Sequence, residues 1–441
     1  MEILNVNLDY SEDNLQKACK LFLQDIGDWA YRVVNKYPDG FVSDSHDGGT
    51  FMVPWAVFVK YNEDQKILKF MKKYRDNSCQ HFKKNGQWYH GYWKRQEAHH
   101  GPEHFQIFMY TLWQLDTDDD ITVKQFIDAV EHIGNWANKI PEWYDWEKGL
   151  MKSMYLGTEY VGKPAINVPD HIRFVDLAIK AYQITEKDHY INFAQHYAKR
   201  WAEAINNSES LPIGLVEKGG IYENVLNDSE YANFAGAAPD DLNDEILKAE
   251  NLLASGFPDV LLKLWKITEK KRYRNAAEKV IEVAKIEATN PIAWQVHAAI
   301  RRYRDITGQK RFDSVVNNVS DRELRKISKL YMNPAPERED YEDAMGMRGD
   351  KPEWKDETGN MAPGPLLQAL YGLINEDEEV LTNAVTLARS YFDLAEKAYG
   401  DINEHGCTSQ ALHSIARGHG RLNGAGVVTE VLEPVLRYLK S

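Results

Sequence analysis

Apolar residues recur along this chain with a helical period, and two kinds of helical stretch alternate. Stretches near 51–60, 103–115, 172–184, 258–267, 291–304 and 363–374 are apolar on nearly every side, IRFVDLAIKAY at 172–182 being typical. Each passes through a clipped turn into an amphipathic partner such as YINFAQHYAKRWAEAI at 190–205, where Tyr190, Phe193, Ala194, Tyr197 and Trp201 form one apolar stripe. The first helix of each pair is therefore expected to be buried on both faces, and the second to lie outside it. A leading helix at about 11–36 completes six or seven outer–inner pairs, and no strand pattern of period two stands out.

Three of the clipped turns share chemistry: AYQITEKDHY, LWKITEKKRY and YRDITGQKRF each close one helix with an aromatic and Ile-Thr and open the next with an aromatic. The unit is a repeated helical hairpin. The returns are longer, at 37–50, 85–102, 140–171, 207–257 and 331–362, and carry unusual His, Trp, Tyr, Gly and Asp content. Loops beyond about 15 residues without structure of their own are usually functional. Long returns on one side only favour a closed ring over an open superhelical array. The expected fold is all-α, an (α/α)6 or (α/α)7 toroid forming one domain over 1–441, with loops 85–102, 140–171, 207–257 and 331–362 at one mouth. That mouth lies at the N-terminal ends of the inner helices, where free N–H groups and the positive dipole end suit an anion.

Composition narrows the partners. A formal charge of −14 opposes nonspecific attraction to nucleic acid and to anionic membranes. Twelve Trp, 24 Tyr and 15 Phe supply flat apolar surface for a core and for sugar rings. Cys19, Cys79 and Cys407 fall in no metal-type spacing and read as free thiols. The start, MEILNVNLDYSEDNLQ, has no basic or apolar signal region. The expectation is a soluble chain, cytoplasmic as given, periplasmic or secreted had a signal peptide been removed, with its oligomeric state open.

Candidate chemistry is densest in GQWYHGYWKRQEAHHGPEHF at 86–105, just before an inner helix. His99, His100, His104, Glu103 and Tyr89 suit proton transfer, while Trp88 and Trp93 suit sugar stacking. His100, Glu103 and His104 could together hold a divalent metal, although Gly101-Pro102 interrupts the helix that an H-x-x-E-H peptidase needs; no cofactor is certain. In NVPDHIRFVD, Asp170 reads as an N-cap, leaving His171 and Arg173 in the first turn of the next inner helix. Arg173 there suits a substrate carboxylate or pairing to Asp170 or Asp176. Tyr222 in the 207–257 insertion, Asp47, Trp354, and His419 and Arg421 in the final glycine-rich loop complete the candidate rim.

From about 11 to 439 the hairpin repeat with its aromatic-rich loops resembles the (α/α)-toroid carbohydrate-active enzymes: six-hairpin glycosidases, several polysaccharide lyase families and the N-acylglucosamine 2-epimerase group. The paired aspartates of unsaturated glucuronyl hydrolases and the Asn-Asn-His pattern of heparinase-type lyases are not evident. The resemblance implies a saccharide substrate. The expected activity is β-elimination on uronate-containing saccharides, with Arg173 or a metal neutralising the carboxylate and a histidine, Tyr89 or Tyr222 moving protons. The alternatives are a glycoside hydrolase using two of Glu97, Glu103, Asp47, Glu223, Asp240 and Asp241, a sugar epimerase or isomerase, and a non-catalytic helical-repeat scaffold.

Overall fold

Helices form where the apolar periodicity places them. A computed structural model describes residues 14–44, 48–93, 98, 101–133, 143–152, 167–216, 244–290, 293–319, 324, 329–333, 351–355, 363–399 and 427–440. In chain order the helices are α1 Leu15–Lys36, α2 Trp55–Asn62, α3 Gln65–Lys84, α4 Tyr110–Leu115, α5 Asp120–Glu131, α6 Ile172–Thr185, α7 Asp188–Asn207 and α8 Glu245–Ala254. There follow α9 Phe257–Thr268, α10 Lys271–Ala284, α11 Trp294–Thr307, α12 Asp313–Val316, α13 Pro365–Asn375, α14 Glu378–Tyr399 and α15 Glu433–Tyr438. Wider π-helical turns, His104–Met109 and Val428–Leu432, lead into α4 and α15. The fold is all-α and built of helical hairpins.

The repeated Ile-Thr turn has a local cause. At the ends of α6, α9 and α11 the hydroxyls of Thr185, Thr268 and Thr307 donate to the carbonyls four residues back, of Ala181, Leu264 and Tyr303. The same oxygens accept the N–H two residues on, from Lys187, Lys270 and Gln309. Between them Glu186, Glu269 and Gly308 take left-handed φ of 58°, 57° and 69°, and each donates its N–H back into the helix. Threonine thus satisfies orphan groups that a left-handed cap leaves exposed, so the chain reverses within three residues.

The returns are less bare than the sequence suggests. Among the described residues three small antiparallel ribbons occur: β1 Trp88–Tyr89 with β2 Tyr92–Trp93, β3 Tyr144–Asp145 with β4 Leu150–Met151, and β5 Lys329–Asn333 with β6 Lys351–Lys355. Strands of two residues are too short to show alternation. Within the 207–257 insertion, α8 is helical because the Asp244 carboxylate accepts from the N–H groups of Ile246 and Leu247.

The described residues group into two compact units, 1–36, 51–67 and 284–441 in the first, and 37–50 and 68–283 in the second. In the first unit α1 packs along α14. Phe22 and Trp29 meet Phe392 edge-on at 5.3 and 5.6 Å, Trp29 meets Trp55 at 5.4 Å, and Arg389 forks onto Asp25. Gly27 lets the Phe58 ring against the backbone of α1, where a Cβ would collide with it. In the second unit α6 packs against α7, α9 and the π-helical turn before α4, and Trp201 of α7 meets Phe257 at 4.8 Å. Among the described residues no helix is long and apolar enough to cross a membrane.

The first unit also buries an ion triad. Glu430 is 2% exposed and accepts from Arg301 and Arg302. Burial alone raises its carboxyl pKa, but the two guanidinium groups outweigh that and hold it at about 2. A depressed folded-state pKa contributes stability that is full above the unfolded carboxylate value and is lost as pH falls toward the folded value. E430Q should cost about 3–5 kcal/mol at pH 7 in urea unfolding, because two arginines stay buried without their carboxylate. The gap to wild type should narrow by about 3 kcal/mol as pH falls from about 5 toward about 2; a gap independent of pH would show that the carboxylate charge is irrelevant.

Candidate functional site

Three consecutive inner helix starts in the second unit carry polar side chains into the interior. Pro102 opens the first, its carbonyl accepting from the N–H groups of Phe105 and Gln106. This places Glu103 and His104 in the first turn, 0% and 2% exposed. Pro169–His171 forms a single 3-10 turn ahead of α6, and Arg173 follows, 0% exposed. Ser255 ends α8 just ahead of α9 and is 2% exposed.

These residues join. Arg173 Nη1 donates to Glu103 Oε1 at 3.2 Å, and its Nε lies 3.6 Å from Asp170 Oδ1, which accepts from Ser255 Oγ at 3.0 Å. An arginine at a helix N-terminus opposes the dipole, and two carboxylates reverse that penalty. Asp170 is therefore not the expected N-cap, since its carboxylate is spent on Arg173 and Ser255. His171 caps instead, with the Val168 N–H pointing at its Nδ1 at 3.1 Å and its ring edge-on to Phe174 at 5.9 Å. His104 stands edge-on to Phe105 at 4.9 Å and tilted over Phe108 at 5.6 Å.

A second polar layer lies one to two turns deeper, centred on Asp176, which pairs with two lysines. Asp176 of α6 bonds Lys180 at 2.7 Å, Lys263 of α9 at 2.9 Å and Gln106 Nε2 at 3.0 Å. Lys180 also donates to the Gln106 carbonyl at 2.8 Å and lies over the Tyr110 ring at 4.7 Å. Thus a carbonyl inside the π-helical turn gains a cationic donor. Burial by itself raises the Asp176 carboxyl, yet the two ammonium groups hold it well below the usual carboxylate range. Burial pushes Lys180 down to about 8 against the pull of Asp176. The signal available in the sequence was an Asp and a Lys four apart in a helix otherwise apolar all round.

Trp88 and Tyr89 lie elsewhere. They sit half-buried on the β1–β2 ribbon, where Lys83 covers the Trp88 ring at 4.8 Å. The ribbon docks on α5 through Tyr92, whose hydroxyl donates to the Ala129 carbonyl at 2.9 Å. Trp93 pairs with Trp88 and Trp354 with Leu330 in strand register, but their side chains lie outside the described residues. His99, His100, Tyr222, Asp47, His419 and Arg421 also lie outside them, and so does the complete His100–Glu103–His104 metal set. Gly48 and Gly49, next to Asp47, sit where a Cβ would run into Ser43 and Tyr74 or into the Phe108 ring.

In the first unit, His297 occupies the first turn of α11, 1% exposed, with Nε2 donating to the Ala288 carbonyl at 3.0 Å. Burial pushes its imidazole down to about 4, so it stays neutral with Nδ1 left as acceptor. Gln368 of α13, 0% exposed, donates to the Leu324 carbonyl at 3.1 Å. Both read as ordinary core in the sequence because their neighbours are apolar. The available signal was position, the opening turns of helices that follow long returns.

The helix starts favour negative charge through their dipoles, and imidazoles there can move protons away from bulk water. R173M should cost about 3–5 kcal/mol in urea unfolding, because Glu103 and Asp170 remain buried as carboxylates. S255A should cost only about 1 kcal/mol. E103Q in the R173M background should cost less than E103Q alone, and additive costs would show that the pair is uncoupled.

No family model matches the chain, and no curated protein matches it. Among solved structures it is similar to a D-mannose isomerase, at a TM-score of 0.46 and 11% identity over 82% of this chain and 97% of that one.

Proposed function

We propose that this chain is a carbohydrate-converting enzyme that moves a proton between neighbouring carbons of a free sugar, as an aldose–ketose isomerase or an epimerase. The carrying observation is the buried layer in which His104 adjoins Glu103 and His171 lies between Asp170 and Arg173, with the only guanidinium of that layer, among the described residues, already facing two carboxylates. Elimination on a uronate needs a cation offered to the substrate's own carboxylate. Arg173, its charge already held by Glu103 and Asp170, is poorly placed for that role. Hydrolysis needs two carboxylates facing a glycosidic bond. Glu103 and Asp170 instead converge on one arginine.

Isomerisation asks less of the site. An imidazole takes the proton from the carbon beside the carbonyl while the carbonyl oxygen is protonated, giving an enediol. Return of a proton to the neighbouring carbon and loss of one from the other oxygen complete the exchange, with no net change in atoms or electrons. Groups that work near neutral pH suit both halves. Exclusion of water protects the enediol, and helix N-termini favour charge on its oxygens.

Incubation in D2O with a panel of aldoses and ketoses should show, by proton NMR, deuterium entering beside the carbonyl together with interconversion of the sugars. H104Q and H171Q should each lower that rate about 10²–10⁴-fold. Absence of exchange across the panel, with ultraviolet-absorbing unsaturated product from uronate polymers, would overturn the reading in favour of a lyase.

A further inference from the structure

The turn of the β1–β2 ribbon brings a second histidine group together, made of residues distinct from those of the Arg173 layer. His90 stacks face to face on His132, ring centroids 3.7 Å apart and planes 7° from parallel. Both rings turn Nδ1 toward one carboxylate oxygen of Asp128, at 3.4 Å from His90 and 3.2 Å from His132, and His132 Nδ1 donates to the Asp128 main-chain carbonyl at 2.8 Å, which leaves its Nε2 as the ligand atom. One ligand atom from each of the three residues lies within 4.8 Å of the others.

The surroundings fix this arrangement. Asp128 and His132 are four apart at the end of α5 and so share a helix face. His90 holds a left-handed φ of 46°, a conformation a non-glycine residue keeps only when its surroundings impose it. Beside it Gly91, at φ 87°, lies so close to α5 that a Cβ would come 2.9 Å from the Gln125 carbonyl. With the Tyr92 hydrogen bond, these contacts seat the ribbon on α5 and carry His90 over His132.

We infer that His90, Asp128 and His132 form a binding site for a divalent transition metal of the zinc class, clasping the β1–β2 ribbon to α5. Two imidazole nitrogens and one carboxylate oxygen are a donor set for Zn²⁺, Ni²⁺ or Cu²⁺ and not for the oxygen-seeking Mg²⁺ or Ca²⁺. Bringing two imidazoles and a carboxylate together in solution has an entropic cost that the docked ribbon has already met. The side chains are 34–42% exposed, so an ion reaches them directly and the rings can open from the stack to converge on it. The clasp stands independently of the sugar-converting reading, and its test uses no activity.

The test is titration of the chelator-treated full-length protein with Zn²⁺ against a chromophoric chelator. Wild type is expected to take up one more equivalent than H90A or H132A, and D128N should bind that equivalent at least about tenfold more weakly. Zn²⁺ should raise the thermal midpoint of wild type and leave that of H132A unchanged, the two midpoints agreeing in EDTA. Equal Zn²⁺ stoichiometry in wild type, H90A and H132A would overturn the proposal, as would displacement of the ion by millimolar Mg²⁺. H132Q, which keeps the side-chain volume and a polar group, guards against a loss caused by local unfolding.

Discussion

The interaction on which the second unit turns is the contact of one buried guanidinium with two buried carboxylates. Arg173 sits where a helix dipole is least hospitable to a cation, and it is fully buried there. It is tolerable there because Glu103 comes from the preceding inner helix start and Asp170 from the turn just before α6, itself tied to Ser255 at the next helix start. A lone charge in that place would cost several kcal/mol, so the three helix starts are held in one register by electrostatic necessity. The imidazoles of His104 and His171 inherit their positions from that register.

The deeper layer repeats the logic. Lys180 and Lys263 neutralise Asp176, and Gln106 connects the layer to the π-helical turn above it. Lys180 donates to the Gln106 backbone carbonyl within that turn. The two layers leave the apolar faces of α6 and α9 to pack as the hydrophobic pattern requires, and confine polarity to the line where the helices meet. The first unit solves a similar problem with Glu430 between Arg301 and Arg302.

Much of the scaffold was legible in the sequence because its causes are local. The apolar stretch at 172–184 is α6, the one at 291–304 overlaps α11, and the Ile-Thr turns follow from hydroxyls reaching four residues back and two forward. The first two ribbons were not legible, because two-residue strands such as Trp88–Tyr89 carry no period. Asp170 after Pro169 looks like a helix cap by every local rule, yet Arg173 and Ser255 take its carboxylate and the cap passes to His171. His297 is inconspicuous for the opposite reason, since an apolar neighbourhood surrounds a polar residue at a helix start.

Taken alone, the amino-acid order determined most of the helical stretches, where the repeated Ile-Thr turns reverse the chain and where the chemical residue types concentrate, though it left the helix Glu245–Ala254 inside an expected loop. All of these depend on contacts within a few residues. Only the tertiary structure decided which charges meet. Glu103 and Arg173 are 70 residues apart, and Asp170 and Ser255 are 85 apart. Nothing in local spacing selects those partners, because a buried charge is matched by whatever packing brings beside it, and that is a property of the assembled helices.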